Sequence, residues 1–281
     1  EKYLINIVDN FDITEAKKIK KIEEKTKHDV KAVEYYIKSK INEFQSLKKY
    51  KEFVHIFCTS EDINNLSLAL MVKDGLMQRF LGLNSIKKEI KKKSKQYAKV
   101  AMLSYTHGQP ASPTTMGKEM SIFYKRIDYL TALLDKTKIL GKINGATGNY
   151  SSHNVSYPSI NWPIATKKFI KSLGLTQNTH TTQIESHDYL ADICDQIAHI
   201  NSILIGFSQD MWTYISKNYF SQKNVKGEIG SSTMPHKINP INFENAEGNL
   251  GMANSMLKFF SSKLVISRLQ RDLSDSTVLR N

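Results

Sequence analysis

The chain has 281 residues, and with 40% hydrophobic and 24% charged residues it has the composition of a globular protein with a sizeable core. It contains no run of ~20 apolar residues, which excludes a membrane-spanning helix, and its two cysteines exclude a disulfide framework or a four-cysteine zinc site and favour a cytoplasmic protein. The net charge of +13 comes almost wholly from lysine, with only five arginines, so nucleic-acid binding is a weaker alternative than solvated helix faces. An anionic small substrate also fits, and the charge alone does not choose between these alternatives.

The first 50 residues predict two short helices, at 13–25 and 30–44. All six prolines lie between residues 110 and 240, so long helices are permitted at both ends of the chain. We place a soft domain boundary between residues 50 and 59, which separates 1–50 from 51–281. The last residues still follow a helical pattern without a glycine or proline stop, and we therefore expect the chain to be a fragment.

Three segments carry apolar residues at alternating spacings of three and four, the heptad pattern of long helices packed side by side. The first stripe comprises Met116, Met120, Phe123, Ile127, Leu130 and Leu134. The second comprises Leu190, Ile193, Ile197, Ile200, Leu204, Phe207, Met211 and Tyr214. The third comprises Leu250, Ala253, Leu257, Phe260 and Leu264. The alternation typical of strands is nearly absent, so the sequence predicts an all-α fold, a bundle of long helices without a large sheet.

Two polar segments in the first half of the chain are candidates for a functional site. Residues 59–65, TSEDINN, place hydroxyls and an acidic pair ahead of an apolar run, which is typical of a helix N-terminus. The segment either only caps the helix or also binds an anion through free N–H groups and hydroxyls. Residues 106–115, THGQPASPTT, interrupt the helical pattern and place His107 at the break. A lone histidine is usually structural, but this context favours general acid or base chemistry near neutral pH.

Two further segments stand out in the second half. Residues 227–240 combine two glycines, two prolines, three hydroxyl side chains, a histidine and a lysine, so they form either a plain surface loop or a loop that closes over a ligand. Residues 267–280 contain three of the five arginines. Arginine binds carboxylate or phosphate through two hydrogen bonds at once, and an ion-pair network between subunits is the alternative for this cluster.

Spacing excludes several other kinds of site. His180, His187 and Asp188 lack a third group at the spacing of zinc ligands. The glycines at 145–148 are too close for a dinucleotide fingerprint and follow no predicted strand, and residues 227–240 lack the spacing of a phosphate-binding P-loop. We therefore expect neither a metal nor a cofactor.

Six motifs together resemble the bacterial-type adenylosuccinate lyase family of the fumarase/aspartase superfamily. They are TSEDINN (59–65), THGQPASPTTMGKEM (106–120), KINGATGNYSSH (142–153), TTQIESHDY (181–189), GSSTMPHKINP (230–240) and SRLQRDLSDSTVLRN (267–281). The resemblance implies a long-helix bundle whose central helices pack in a homotetramer, with each active site shared between subunits. It also implies β-elimination of fumarate from adenylosuccinate to give AMP, and from the succinylocarboxamide intermediate of purine synthesis, SAICAR.

Carried over residue by residue, the resemblance implies an active site without cofactor or metal. His107 matches the general acid, and Ser231, on the mobile loop, matches the general base. The matched substrate-binding positions are Lys27, His28, Asp29, Thr59, Ser60, Gln183, Lys237, Asn239, Arg271, Ser276 and Arg280. Residues 1–50 would then be part of an N-terminal helical domain and 51–281 the central bundle, with the family's C-terminal helical domain absent from this chain.

Two other function classes remain open. One is a protein of this fold that has lost catalysis, although it would have kept His107, Ser231 and Lys237. A spectroscopic elimination assay separates it from an active lyase. The other is a helical protein that binds nucleic acid, which would show tight binding with a steep salt dependence. We expect neither nucleic acid nor a membrane as a partner.

Overall fold

The computed structural model describes residues 2–223, 234 and 237–280, apart from the side chain of Arg280. The first elements are α1 (Lys2–Asp9), α2 (Ile13–Thr26), α3 (Asp29–Asn42), a 3₁₀ helix (Lys48–Phe53) and α4 (Ser60–Gln96). They are followed by β1 (Ala101–Thr106), β2 (Gln109–Thr115), α5 (Met116–Asp135), β3 (Leu140–Gly141) and α6 (Ser151–Ser156). The last are α7 (Trp162–Ser172), β4 (Thr176–Gln177), α8 (Asp188–Ser216), α9 (Ile241–Lys263) and α10 (Ser274–Arg280).

Long helices dominate the described residues, which confirms the predicted fold class. The strands among them form only two small sheets, each with two strands. The predicted heptad stripes lie on α5, α8 and α9, except that Leu264 directly follows the last residue of α9. The two short predicted helices correspond to α2 and α3. In the described part of the chain, no helix combines the length and the apolar character needed to cross a bilayer.

Contacts between Cα atoms divide the chain into two compact units. The first unit comprises Glu1–Val72, Ile139–Ser186 and Ser267–Asn281, and the second comprises Lys73–Lys138 and His187–Ile266. The division at residue 50 stays a prediction.

The second unit is a helical bundle built from α5, α8, α9 and the later part of α4. Helix α8 packs along both α5 and α9, and the rings of Phe123 on α5 and Phe207 on α8 meet with centroids 5.3 Å apart. Helix α4 buries Leu76, Leu83 and Ile90, which are spaced by seven residues and so form one seam of the helix.

The segment that interrupts the helical pattern, 106–115, folds mainly as a strand of a β-hairpin. Strand β1 pairs antiparallel with β2, so that Thr106 lies opposite Gln109. His107 and Gly108 form the two-residue turn between them, with φ of 53° and 72°, and the type I′ turn favoured in such hairpins has positive φ at both positions. Pro110 and Pro113 lie within β2, which has a partner on one side only. The hairpin therefore presents His107 at its exposed tip.

In the first unit, a small apolar core fixes the start of α4 against the segment 139–186. Leu66 and Ala69 of α4 are buried together with Ile170 and Leu175. The parallel pair β3–β4 borders this core, and a Cβ atom on Gly141 would lie only 2.6 Å from a methyl carbon of Leu66. This close approach holds the beginning of α4 in one position relative to the loop that follows β3.

Candidate active site

The predicted site residues fall in both units. The first unit contains Lys27, His28, Asp29, Thr59, Ser60, Gln183, Arg271, Ser276 and Arg280. The second contains His107, Lys237 and Asn239. Ser231 and the side chain of Arg280 lie outside the described residues.

The junction between α2 and α3 presents the first three predicted residues. Lys27 ends α2 in the left-handed conformation, with φ of 54°. His28 then caps α3, because its Nδ1 accepts a hydrogen bond from the backbone N–H of Lys31 at 3.3 Å. Its Nε2 lies 3.4 Å from the hydroxyl oxygen of Ser60. The structure thus brings the predicted substrate positions at 27–29 and 59–60 together.

The first turn of α4 is held by a buried carboxylate. The backbone N–H of Thr59 donates to Asp62 Oδ2 at 2.9 Å, which is the capping arrangement that the sequence indicates. The Asp62 side chain is fully buried and also accepts from the backbone N–H groups of Asn144 and Gly145, each at 3.1 Å. It therefore does more than cap the helix, since it also ties the helix to the loop after β3.

Lys142 completes this connection. Its fully buried ammonium lies 2.9 Å from Asp62 Oδ1 and donates to the backbone oxygens of Gly145 at 3.0 Å and Gln183 at 2.6 Å. Its own backbone is held by Asn65 of α4, whose amide accepts from Lys142 N at 2.8 Å and donates to Lys142 O at 3.0 Å. Burial lowers the pKa of Lys142, and the adjacent Asp62 opposes that effect. The network brings the Gln183 backbone to the first turn of α4.

Arg271 reaches the same turn. Its Nη2 lies 3.7 Å from Glu61 Oε2, and the Glu61 side chain is buried. The Nε of Arg271 is buried and has no hydrogen-bond partner among the described residues. A buried guanidinium donor without a partner is costly, so this arginine has capacity left for an anionic ligand.

Burial also raises the pKa of the Glu61 carboxyl to about 7, and Arg271 only partly offsets the effect. The folded chain then holds a proton on Glu61 that the unfolded chain, with a pKa near 4.5, has lost. This contribution to stability is complete below pH 4.5 and is lost as the pH rises through about 7.

We therefore predict that Glu61→Gln, which keeps a neutral side chain at every pH, gains stability over the wild type as the pH rises from 5 to 8. The relative change should be on the order of 2 kcal/mol. Melting temperatures of both proteins at a series of pH values measure it. A constant difference between the two would show that Glu61 is already ionised in the folded protein at pH 5.

The arginines at 267–280 have different contacts, and so different roles. Arg268 is exposed, and its Nη1 lies 3.1 Å from Oδ2 of Asp272, four residues further along a non-helical segment. Asp272 in turn accepts from the N–H of Ser274 at the start of α10, and hydrogen bonds from Ser274 lower its pKa to about 2. Ser276 lies in the first turn of α10, where its N–H donates to Asp275 at 2.6 Å. Of the two described guanidinium groups in this segment, Arg271 is the one that contacts the first turn of α4.

In the second unit, His107 lies at the hairpin tip and is exposed. Lys237 is also exposed, and its backbone N–H donates to the carbonyl of Met234 at 3.2 Å. Asn239 is half-buried directly before α9. These three residues belong to a different unit from the cluster in the first unit, by which we mean the predicted substrate residues around the first turn of α4: His28, Thr59, Ser60, Gln183 and Arg271.

The residues that hold this group together are not among the predicted site residues. They are Glu61, Asp62, Asn65, Lys142 and Asn144, all of them buried. Asp62 belongs to the acidic pair that the sequence assigns to the helix N-terminus, and Lys142 is the only Lys, Arg, Asp or Glu in KINGATGNYSSH, but neither observation indicates that the two side chains meet.

Comparison with known proteins identifies the class. A family model described as Lyase matches residues 1–254, and the chain belongs to this lyase family. The curated adenylosuccinate lyases of Buchnera aphidicola subsp. Schizaphis graminum and of Escherichia coli strain K12 are both 52% identical to it over 280 residues. That of Haemophilus influenzae is 51% identical. The alignments cover 99% of this chain but 61% of each relative's length. The resemblance indicated by the six motifs is thus confirmed.

Solved structures support the fold. The chain superimposes on 3-carboxy-cis,cis-muconate lactonizing enzyme from Pseudomonas putida with a TM-score of 0.76 and 17% identity, over 97% of this chain and 58% of that one. For a fumarate lyase from Mesorhizobium sp. BNC1 the TM-score is also 0.76, with 15% identity, over 98% of this chain and 59% of that one. At such low identity these likenesses bear on the fold alone.

Proposed function

We propose that the protein containing this chain cleaves adenylosuccinate into AMP and fumarate by β-elimination, and splits SAICAR in the same site. The observation that carries this proposal is the 52% identity to adenylosuccinate lyases over nearly every residue of the chain. The chain spans only about 61% of those relatives' length, so the activity proposed is that of the whole protein.

The cluster in the first unit supports an anionic substrate. Adenylosuccinate carries a phosphate and two carboxylates, and such groups are bound best by guanidinium, ammonium and hydroxyl donors. The first turn of α4 offers the hydroxyls of Thr59 and Ser60. His28 lies beside Ser60. Arg271 contacts Glu61 of the same turn, and its buried Nε has no partner among the described residues. We assign these residues, with Lys27, Asp29, Gln183, Ser276 and Arg280, to substrate binding.

The chemistry requires one proton to be removed and one to be supplied. Ser231, as the base, takes the proton from the carbon next to a carboxylate, and that C–H electron pair forms the double bond of fumarate. The C–N bond breaks as its electron pair leaves with the purine nitrogen, which His107 protonates. Lys237 and Asn239 would stabilise the additional charge on the carboxylate before the C–N bond breaks.

A homotetramer with active sites shared between subunits fits the surface of α9. Met252, Met256 and Phe259 follow one another at spacings of four and three on this helix, with exposed fractions of 72, 59 and 51%. A long helix with an apolar face of this kind is typical of a surface that another helix covers. We further propose a cytoplasmic location, which the free thiols of Cys58 and Cys194 favour.

The test is an elimination assay on the protein that contains this chain, followed by the change in purine absorbance and by release of fumarate. We expect turnover of adenylosuccinate, and we expect Arg271→Lys to weaken substrate binding by at least ~1 kcal/mol because a two-point contact to an anion is lost. Arg268→Lys, which changes the neighbouring exposed arginine, is the matched control and should leave KM unchanged. Failure of the wild type to release fumarate would refute the proposal, whereas an unchanged KM in Arg271→Lys would assign Arg271 to structure alone.

A further inference from the structure

We propose that Lys142 is a positioning residue of the elimination site, which fixes Gln183 against the first turn of α4 so that Gln183 and Ser60 bind the same substrate molecule. This inference rests on the proposed function.

The contacts of Lys142 show that it acts through other residues. An ammonium group has three N–H donors, and three oxygens surround this one: a carboxylate oxygen of Asp62 at 2.9 Å and the carbonyl oxygens of Gly145 and Gln183 at 3.0 and 2.6 Å. The side chain is also fully buried. No donor is left for a substrate, and no surface of the ammonium is open to one.

The partners of Lys142 belong to segments that are distant in sequence. Asp62 lies in the turn that begins with Ser60, Gly145 lies in the loop after β3, and Gln183 precedes α8. Asp62 in turn accepts from the N–H groups of Thr59 and Gly145. Lys142 therefore joins the Gln183 backbone directly to the turn carrying Thr59 and Ser60, next to a second link in which Asn144 donates to Asp62 through its backbone N–H and to the Thr181 hydroxyl through its side chain.

The charge itself argues for a specific role. Removing a lysine and an aspartate from water costs several kcal/mol per ion, and packed apolar residues of similar volume often stabilise a protein as well or better. An apolar side chain could not hold a carboxylate and two carbonyl oxygens at defined distances. We therefore explain the buried Asp62–Lys142 pair by its structural effect, which is to hold the segments of Gly145 and Gln183 at a fixed distance from the first turn of α4.

A double-mutant cycle with Gln183 tests the inference. Lys142→Met should raise KM for adenylosuccinate about tenfold while kcat changes less than about threefold, because Gln183 contributes binding rather than proton transfer. In a Gln183→Ala background the same Lys142→Met change should raise KM less than about threefold. Three results would each overturn the inference. Lys142→Met could raise KM by the same factor in both backgrounds, leave KM unchanged, or lower kcat alone.

Lys142→Met leaves Asp62 buried without its cation, which can prevent folding. The cycle is therefore repeated with Asp62→Asn/Lys142→Met, which removes both charges together with one of the two oxygens that accept backbone N–H groups. The KM factors in the two Gln183 backgrounds are expected to show the same pattern. The matched control is Glu34→Gln/Lys38→Met. Glu34 is also buried, and its Oε1 lies 3.0 Å from Lys38 Nζ in the first unit. The other partners of this pair are Lys31 and Glu52, and neither is a predicted substrate position.

We expect the control to lower the melting temperature without changing KM. A KM increase as large in the control as in Lys142→Met would assign both effects to general loosening of the unit and overturn the inference. A wild-type protein that releases no fumarate refutes the proposed function, whereas an active wild type with equal factors in the cycle refutes only the role of Lys142.

Discussion

Replacing His107 with alanine should lower kcat for adenylosuccinate about 100-fold or more, because the departing purine nitrogen then lacks its proton donor. KM should change little, because we assign the binding of the phosphate and carboxylates to residues other than His107. His199→Ala, which removes an exposed histidine on α8, is the control and should retain full turnover. Wild-type turnover in His107→Ala would remove His107 from the mechanism.

Ser231→Ala should lower kcat by a similar factor. The two variants together test whether each active site is shared between subunits. If His107 and Ser231 of one active site come from different subunits, mixed tetramers contain some sites in which both groups are intact. Mixing the two inactive proteins after subunit exchange should then restore part of the activity. Two variants that exchange subunits and never complement each other would place both groups on the same chain.

The helices could be predicted wherever their apolar residues keep a single face. Met116 to Leu134 on α5 and Leu190 to Tyr214 on α8 repeat at spacings of three and four, and these helices lie as expected. Helix α4 is longer, at 37 residues, but its apolar residues do not follow a clear helical periodicity. Its buried seam is masked by Met71 and Leu81, which are 70 and 63% exposed. Large apolar residues on a second face blur the periodicity that a sequence analysis depends on.

The predicted substrate residues at 28, 60 and 271 were found because they lie in short motifs, and the structure brings them to one turn of α4. Their support could not be found in the same way. Asp62 and Lys142 are 80 residues apart in the sequence and touch only because β3 returns beside α4. No local pattern records such a contact. The hairpin that carries His107 was also missed, because Pro110 and Pro113 argue against a strand unless it has a free edge.

The loop that contains Lys142 also depends on a glycine. Gly148 has φ of +70°, and a Cβ atom there would lie 2.1 Å from the carbonyl oxygen of Thr181 and 2.8 Å from that of Thr182. Both a left-handed backbone and a backbone collision therefore oppose any side chain. The obstructing carbonyls belong to the segment that leads to Gln183, so the collision must displace either the loop or a predicted substrate residue.

We therefore predict that Gly148→Ala destabilises the protein by roughly 3 kcal/mol or more and raises KM for adenylosuccinate. Gly145→Ala separates the two causes, because Gly145 also has a positive φ, +84°, but the nearest atom to its Cβ position is 3.5 Å away. Gly145→Ala should lower the free energy of unfolding by about 1–2 kcal/mol, because the backbone conformation alone opposes the side chain. Gly75→Ala on α4 meets no atom within 4 Å and should be neutral or stabilising by up to ~1 kcal/mol. Thermal and urea unfolding of the three variants measure the order, and equal losses at Gly148 and Gly145 would show that the 181–183 segment moves aside without resistance.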